Sequence, residues 1–139
     1  IITLSGGLDE KTQLHAKLIR DADKLDIYRV LGEKYTQLAE DPENYNLEIE
    51  NPDLPYYSPE MIDAIMNEKQ IDYRQLNTLN DMKLLLLAMI YDINFKPTLI
   101  KIKEEKYVDQ FIKLLPKDET IKKVEQKIKD YIQSKLSQD

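Results

Sequence analysis

Hydrophobic residues along this chain recur at intervals of three and four, in runs separated by polar or proline-bearing breaks, a pattern that predicts a helical protein. After the Ser5-Gly6-Gly7 stretch, Asp9 is placed to cap a first helix expected over residues 10–39. In it Leu14, Leu18, Ala22, Leu25 and Arg29 trace one row, while Leu31, Tyr35 and Leu38 carry the apolar face onward and Gly32 is a point of weakness or bending. Ile19, Asp23, Asp26 and Val30 form a neighbouring row, so two acids are expected beside the apolar stripe.

Residues 40–57 lose the helical period. Asp41-Pro42, Asn51-Pro52 and Leu54-Pro55 punctuate a long irregular loop, which either borders a pocket or is pinned to the surface by Tyr56 and Tyr57. Ser58-Pro59-Glu60 opens a short helix whose apolar face is Met61, Ile62, Ile65 and Met66, the methionines reading as core filling. Residues 71–76 form a connector with at most a turn of helix. Thr78 followed by Asp81 marks another start, and residues 82–93 are so uniformly apolar that they read as the central helix, contacted on several sides. Asp92 falls at its C-terminal end, against the helix dipole, where pairing with Lys96 or exposure in a loop would relieve it. Asn94-Phe95-Lys96-Pro97 ends that helix. Leu99-Ile100-Lys101-Ile102 fits a helix or a short strand, with the helical context favouring helix, and Tyr107, Phe111, Leu114 and Leu115 keep helical spacing until Pro116. Asp118 caps a last helix striped by Ile121, Val124, Ile128, Ile132 and Leu136. The expected fold is all-α, a bundle of about five helices in a single domain over residues 1–139.

Composition narrows the function classes. A chain of 139 residues, 42% hydrophobic, is long enough for one sizeable core. It has no cysteine, which removes disulfides and thiolate metal ligands, and the expected location is the cytoplasm. Ile1-Ile2-Thr3-Leu4 lacks the basic flank and length of a signal peptide, and the longest apolar run, residues 84–91, is far below the roughly 20 residues that span a bilayer. No membrane partner is expected. A net charge of −6 argues against nucleic acid, whose phosphates require a basic footprint, and the lysines of 101–106 and 122–129 are interrupted by Glu and read as solvated helix faces. The lysine-heavy, isoleucine-rich and tryptophan-free composition is one associated with AT-rich bacterial genomes.

Candidate chemistry is concentrated in Arg20-Asp21-Ala22-Asp23-Lys24-Leu25-Asp26. Asp is a poor helix-interior residue, and a carboxylate beside a core is costly unless it meets a cation, a metal or several donors. Solvent exposure, or pairing with Arg20, Lys24 or Arg29, is the plain reading. The stretch also resembles the last motif of the HD-domain superfamily of metal-dependent phosphohydrolases, and Leu79-Asn80-Asp81 and Ile90-Tyr91-Asp92-Ile93-Asn94-Phe95 are similar to segments that follow it in bacterial members. The resemblance implies that Asp23 is a metal ligand and that Lys24 and Asp26 are catalytic groups beside it, the lysine meeting phosphate and the acid orienting a ligand. Arg20 is implied to bind substrate phosphate, or to pair with Asp21 and Asp23. A divalent metal ion held by His, His, Asp and Asp, and a small phosphorylated substrate or nucleotide, are implied with them.

The family's His and His-Asp motifs do not occur in this chain. Its one histidine, His15, precedes Asp23 by about 12 Å along a helix, too far to share an ion whose ligands lie roughly 2 Å from it. The expectation is therefore the C-terminal portion of an HD-type helical domain, contributing one ligand of the set, not holding metal tightly and inactive alone. Its first helix should then expose an apolar face, visible as a patch or as a homodimer through that face. The alternative is a non-catalytic helical regulatory or protein-interaction module whose acids only make salt bridges.

Overall fold

The structure, a computed structural model, describes residues 9–43 and 51–138. Among these residues there is no strand, and six α-helices follow in order: α1 Glu10–Glu40, α2 Pro59–Met66, α3 Leu79–Ala88, α4 Lys96–Glu104, α5 Tyr107–Lys113 and α6 Glu119–Leu136. The break between α4 and α5 comes at Lys106, which takes the left-handed conformation (φ 58°) that ends many helices. No helix among the described residues is long and apolar enough to cross a membrane.

The helix starts follow from their side chains. Asp9 accepts from the Thr12 amide (2.7 Å), Asp118 accepts from the Ile121 amide (2.8 Å), and Thr78 with Asp81 forms a reciprocal capping box at α3. Ser58 precedes Pro59 as expected, but its hydroxyl donates to Asp81 (2.7 Å) instead of capping α2. Fully buried, Asp81 also accepts from the amides of Ser58 (2.7 Å) and Asn77 (2.9 Å), so one carboxylate closes the starts of two helices. The expected central helix ends at Ala88 and passes into a 3₁₀ turn, Met89–Asp92; Pro97 then opens α4 rather than merely stopping what precedes it.

α3 forms the middle of the bundle, with Leu79, Leu84, Leu86, Leu87 and Ala88 buried among neighbouring helices. α2 and α5 pack on it, α2, α4 and α5 pack on α6, and α1 lies across α4 and α5. Met61 and Ile65 of α2, and Ile121, Val124, Ile128 and Ile132 of α6, fill the core, each such side chain contributing roughly 1.5–3 kcal/mol. Of the expected loop over 40–57, residues 44–50 lie outside the described residues. Its later part is tied down, with the Leu79 amide donating to Pro52 O (2.8 Å), Asn80 to Leu54 O (3.0 Å) and the Tyr57 hydroxyl to Asp118 (2.8 Å).

The expected face of α1 holds in its second half, where Leu31, Tyr35 and Leu38 face the core, but in its first half the row of Leu14, Leu18 and Ala22 turns outward. Tyr28, Gly32 and Tyr35 enter the core, flanked by Leu25, Leu31 and Leu38, whereas Leu14, Leu18 and Ile19 are about half exposed and Ala22 and Ile27 also face outward. Tyr28 sets this orientation: its ring stacks on Tyr107 at 5.8 Å, tilts against Phe111 at 5.9 Å, and its hydroxyl donates to Leu86 O at 2.7 Å. Gly32 permits the close approach of α5, since a Cβ there would press into the Gln110 amide, meeting its Cδ at 2.9 Å.

Candidate functional site

The three acids of the motif are sorted by the fold into three environments. Asp21, 3% exposed, accepts four hydrogen bonds: from Asn94 N (2.9 Å), Asn94 Nδ2 (3.0 Å), Phe95 N (3.0 Å) and Thr98 Oγ1 (2.7 Å). This answers a need of α4. Phe95 stands at its N-cap with no capping side chain, and its first turn carries no acid; Asp21 fixes this entrance by taking the amides of Asn94 and Phe95 just before the helix and the hydroxyl of Thr98 within its first turn, at the positive end of α4. Sequence reasoning placed Asp21 only as a partner for Arg20. The signal that could have found it is the bare start at Phe95-Lys96-Pro97, a helix entrance with apolar surroundings and no acceptor of its own.

Asp92 meets neither Lys96 nor open solvent, the two alternatives its position suggested. It accepts from Arg20 Nη2 (2.8 Å) and Lys24 Nζ (2.9 Å), bringing two of the motif's cations onto the end of the 3₁₀ turn. Burial alone would raise its pKa. The hydrogen bond and charge of Lys24, with those of Arg20, outweigh that and hold the carboxyl below its ordinary value. Lys24 is thereby drawn in, its side chain 12% exposed, while Arg20 stays at the edge.

Asp26 is exposed and pairs with Arg29 on its own helix (2.7 Å), an ion pair worth about 0–1 kcal/mol. Asp23 is exposed and makes no hydrogen bond or ion pair among the described residues. It lies on one outward row, four residues apart, with His15, Ile19 and Ile27, all exposed. Arg20, Asp23, Lys24 and Asp26 therefore do not converge: the two cations share Asp92, Asp26 belongs to Arg29, and Asp23 faces away from the bundle.

A divalent ion needs several ligands around one point. Among the described residues no three His, Cys, Asp or Glu side chains are grouped so that they could hold one. The described residues do not by themselves fit a metal centre, and Asp23 offers a single carboxylate with no partner among them. Away from the motif, a groove of about 480 Å³ between α4, α5 and α6 is lined by Ile102, Lys103, Val108, Asp109, Lys129 and Ile132 among others, and none of the motif residues enters it. Lys83, a buried lysine, donates to Leu114 O at the end of α5 (2.9 Å); burial lowers its pKa while Asp53 acts in the opposite sense. No family model matches this chain, and neither a curated protein nor a solved structure does.

Proposed function

We propose that this chain is the C-terminal helical part of a cytoplasmic, metal-dependent phosphohydrolase of the HD type, acting on a phosphate ester or nucleotide. In this reading α1 contributes one carboxylate, Asp23, to a site whose histidines belong to other parts of the full protein. One observation supports it above the rest. Asp21 and Asp26 both have definite partners within the chain, whereas Asp23 has none among the described residues and stands between the exposed aliphatic side chains of Ile19 and Ile27. Aliphatic surface favours being covered, and a carboxylate that becomes covered requires a cation or donors opposite it. Arg20 and Lys24 are already engaged by Asp92, so in this reading they serve the fold before they serve phosphate.

Metal analysis of the full-length protein tests the reading. A bound divalent metal is expected, together with hydrolysis of a generic phosphate ester; both should be lost in Asp23→Ala, while Asp26→Ala keeps the metal. Metal content indifferent to Asp23→Ala would remove Asp23 as a ligand. A full-length protein that neither binds metal nor hydrolyses phosphate esters would leave the exposed row to a non-catalytic interaction module.

A further inference from the structure

α1 has aliphatic side chains on two faces: Leu25, Leu31 and Leu38 lean on the bundle, while Leu18, Ile19 and Ile27 face outward. Hydrophobic contact is non-directional, so apolar burial by itself discriminates weakly between these faces, and a helix so patterned could roll about its axis. Directional groups must fix the roll. Tyr28, with its hydroxyl on Leu86 O, and Thr36, which accepts from Gln110, hold the second half of α1; toward its first half, among the described residues, such groups gather at one place. Along α1, Arg20 and Lys24 supply cations and Asp21 an acceptor; along residues 92–98 opposite, Asp92 supplies the acceptor while Asn94, Phe95 and Thr98 supply donors. The two sets are complementary in one register only. A roll of one residue, roughly 100°, would take Asp21 away from its amides and both cations away from Asp92.

We propose that Arg20, Asp21 and Lys24 are positioning residues which, held by residues 92–98, lock the roll of α1 and so keep Asp23 on its outward face. The geometry follows from helical pitch: Asp23 lies roughly 200° round the axis from Asp21, so an inward Asp21 entails an outward Asp23. That the carboxylate so held is a ligand rests on the function proposed above; the lock itself does not depend on it.

The absence of cysteine makes the lock measurable in the full chain. Spin labels at Asp23→Cys and at Ser134→Cys on the exposed side of α6 report the distance between the outward face of α1 and the body of the bundle. A single narrow distance distribution is expected. A roll of one residue moves a group at the helix surface by about 8 Å, so Asp21→Asn, or Lys24→Met combined with Arg20→Met, should shift the distribution by several ångströms or broaden it on that scale. The second variant covers the case in which the first does not fold, and Lys24→Arg should restore the narrow distribution. Met61→Ala, which empties core volume far from the lock, should lower stability and leave the distance unchanged. An unchanged distribution in folded lock variants overturns the proposal, whatever the metal content of the full-length protein. An altered distribution alongside metal binding that ignores Asp23→Ala leaves the lock standing and removes the catalytic reading.

Discussion

Two aspartates separated by one residue should respond very differently to the same substitution. Replacing Asp21 by Ala removes the acceptor of four hydrogen bonds, among them those of Phe95 N and Thr98 Oγ1. A buried donor left unpaired costs about 1–3 kcal/mol. Asn94 is exposed and can turn its groups to water, so the loss is counted on Phe95 and Thr98, which gives about 2–6 kcal/mol. Roughly 3–5 kcal/mol is the range in which breaking a buried polar network falls. Asp23→Ala removes an exposed carboxylate with no partner among the described residues and substitutes a better helix former, so stability should hold or rise by about 0.5 kcal/mol. Urea unfolding of the full chain, followed by far-ultraviolet circular dichroism, separates the two. With a slope of about 2 kcal/mol per molar, the midpoint should fall by roughly 1.5–2.5 M for Asp21→Ala and scarcely move for Asp23→Ala. Asp21→Asn should lie between, because its amide keeps one acceptor and turns an NH₂ toward donors. Equal midpoints for the two alanine variants, or a loss below about 1 kcal/mol at Asp21, would refute the assignment of Asp21 as the acceptor for the start of α4.

Gly32→Ala should be close to neutral, because about 1 kcal/mol of helix propensity is offset by displacing the Gln110 amide from Thr36 (3.2 Å); in a Gln110→Ala background the same change should stabilise by about 1 kcal/mol. A double-mutant cycle on unfolding midpoints checks this, and strong destabilisation in both backgrounds would point to backbone rather than Gln110 as the limit. The lowered pKa of Asp92 makes a pH prediction. A carboxyl whose folded pKa is depressed contributes stability that is present above its unfolded value, 3.8, and lost as pH falls through the folded value. Asp92→Asn should therefore cost about 1 kcal/mol near neutrality, and unfolding curves of parent and variant should converge below about pH 4.

Much of the fold was legible because its determinants are local. The caps at Asp9, Thr78 with Asp81, and Asp118, the proline at the start of α2 and the stripe of α6 each lie within a few residues of the element they define. The orientation of the first half of α1 was not legible in the same way, although Leu31, Tyr35 and Leu38 face the core as their spacing suggests. Its inward side carries Arg20, Asp21 and Lys24, whose partners lie at Asp92, Asn94, Phe95 and Thr98, more than 60 residues away in sequence. Periodicity ranks the faces of a helix by hydrophobicity, so it chose the row of Leu14 and Leu18, which the fold leaves half exposed. The division of the motif followed the same limit: the sequence marked the cluster of acids as chemically unusual, and only the distant start of α4 separates a carboxylate used for folding from one left open.

The manner in which two helices obtain their first hydrogen bonds also bears on the order in which the chain assembles. α3 completes its opening turn with Thr78 and Asp81, so it can nucleate from its own neighbourhood. α4 borrows its acceptor from Asp21, 74 positions before its N-cap Phe95, so the helix entrance gains that acceptor only after a large loop has closed. The centre of the bundle should accordingly consolidate first, and the arrival of α1 should be among the last events of folding.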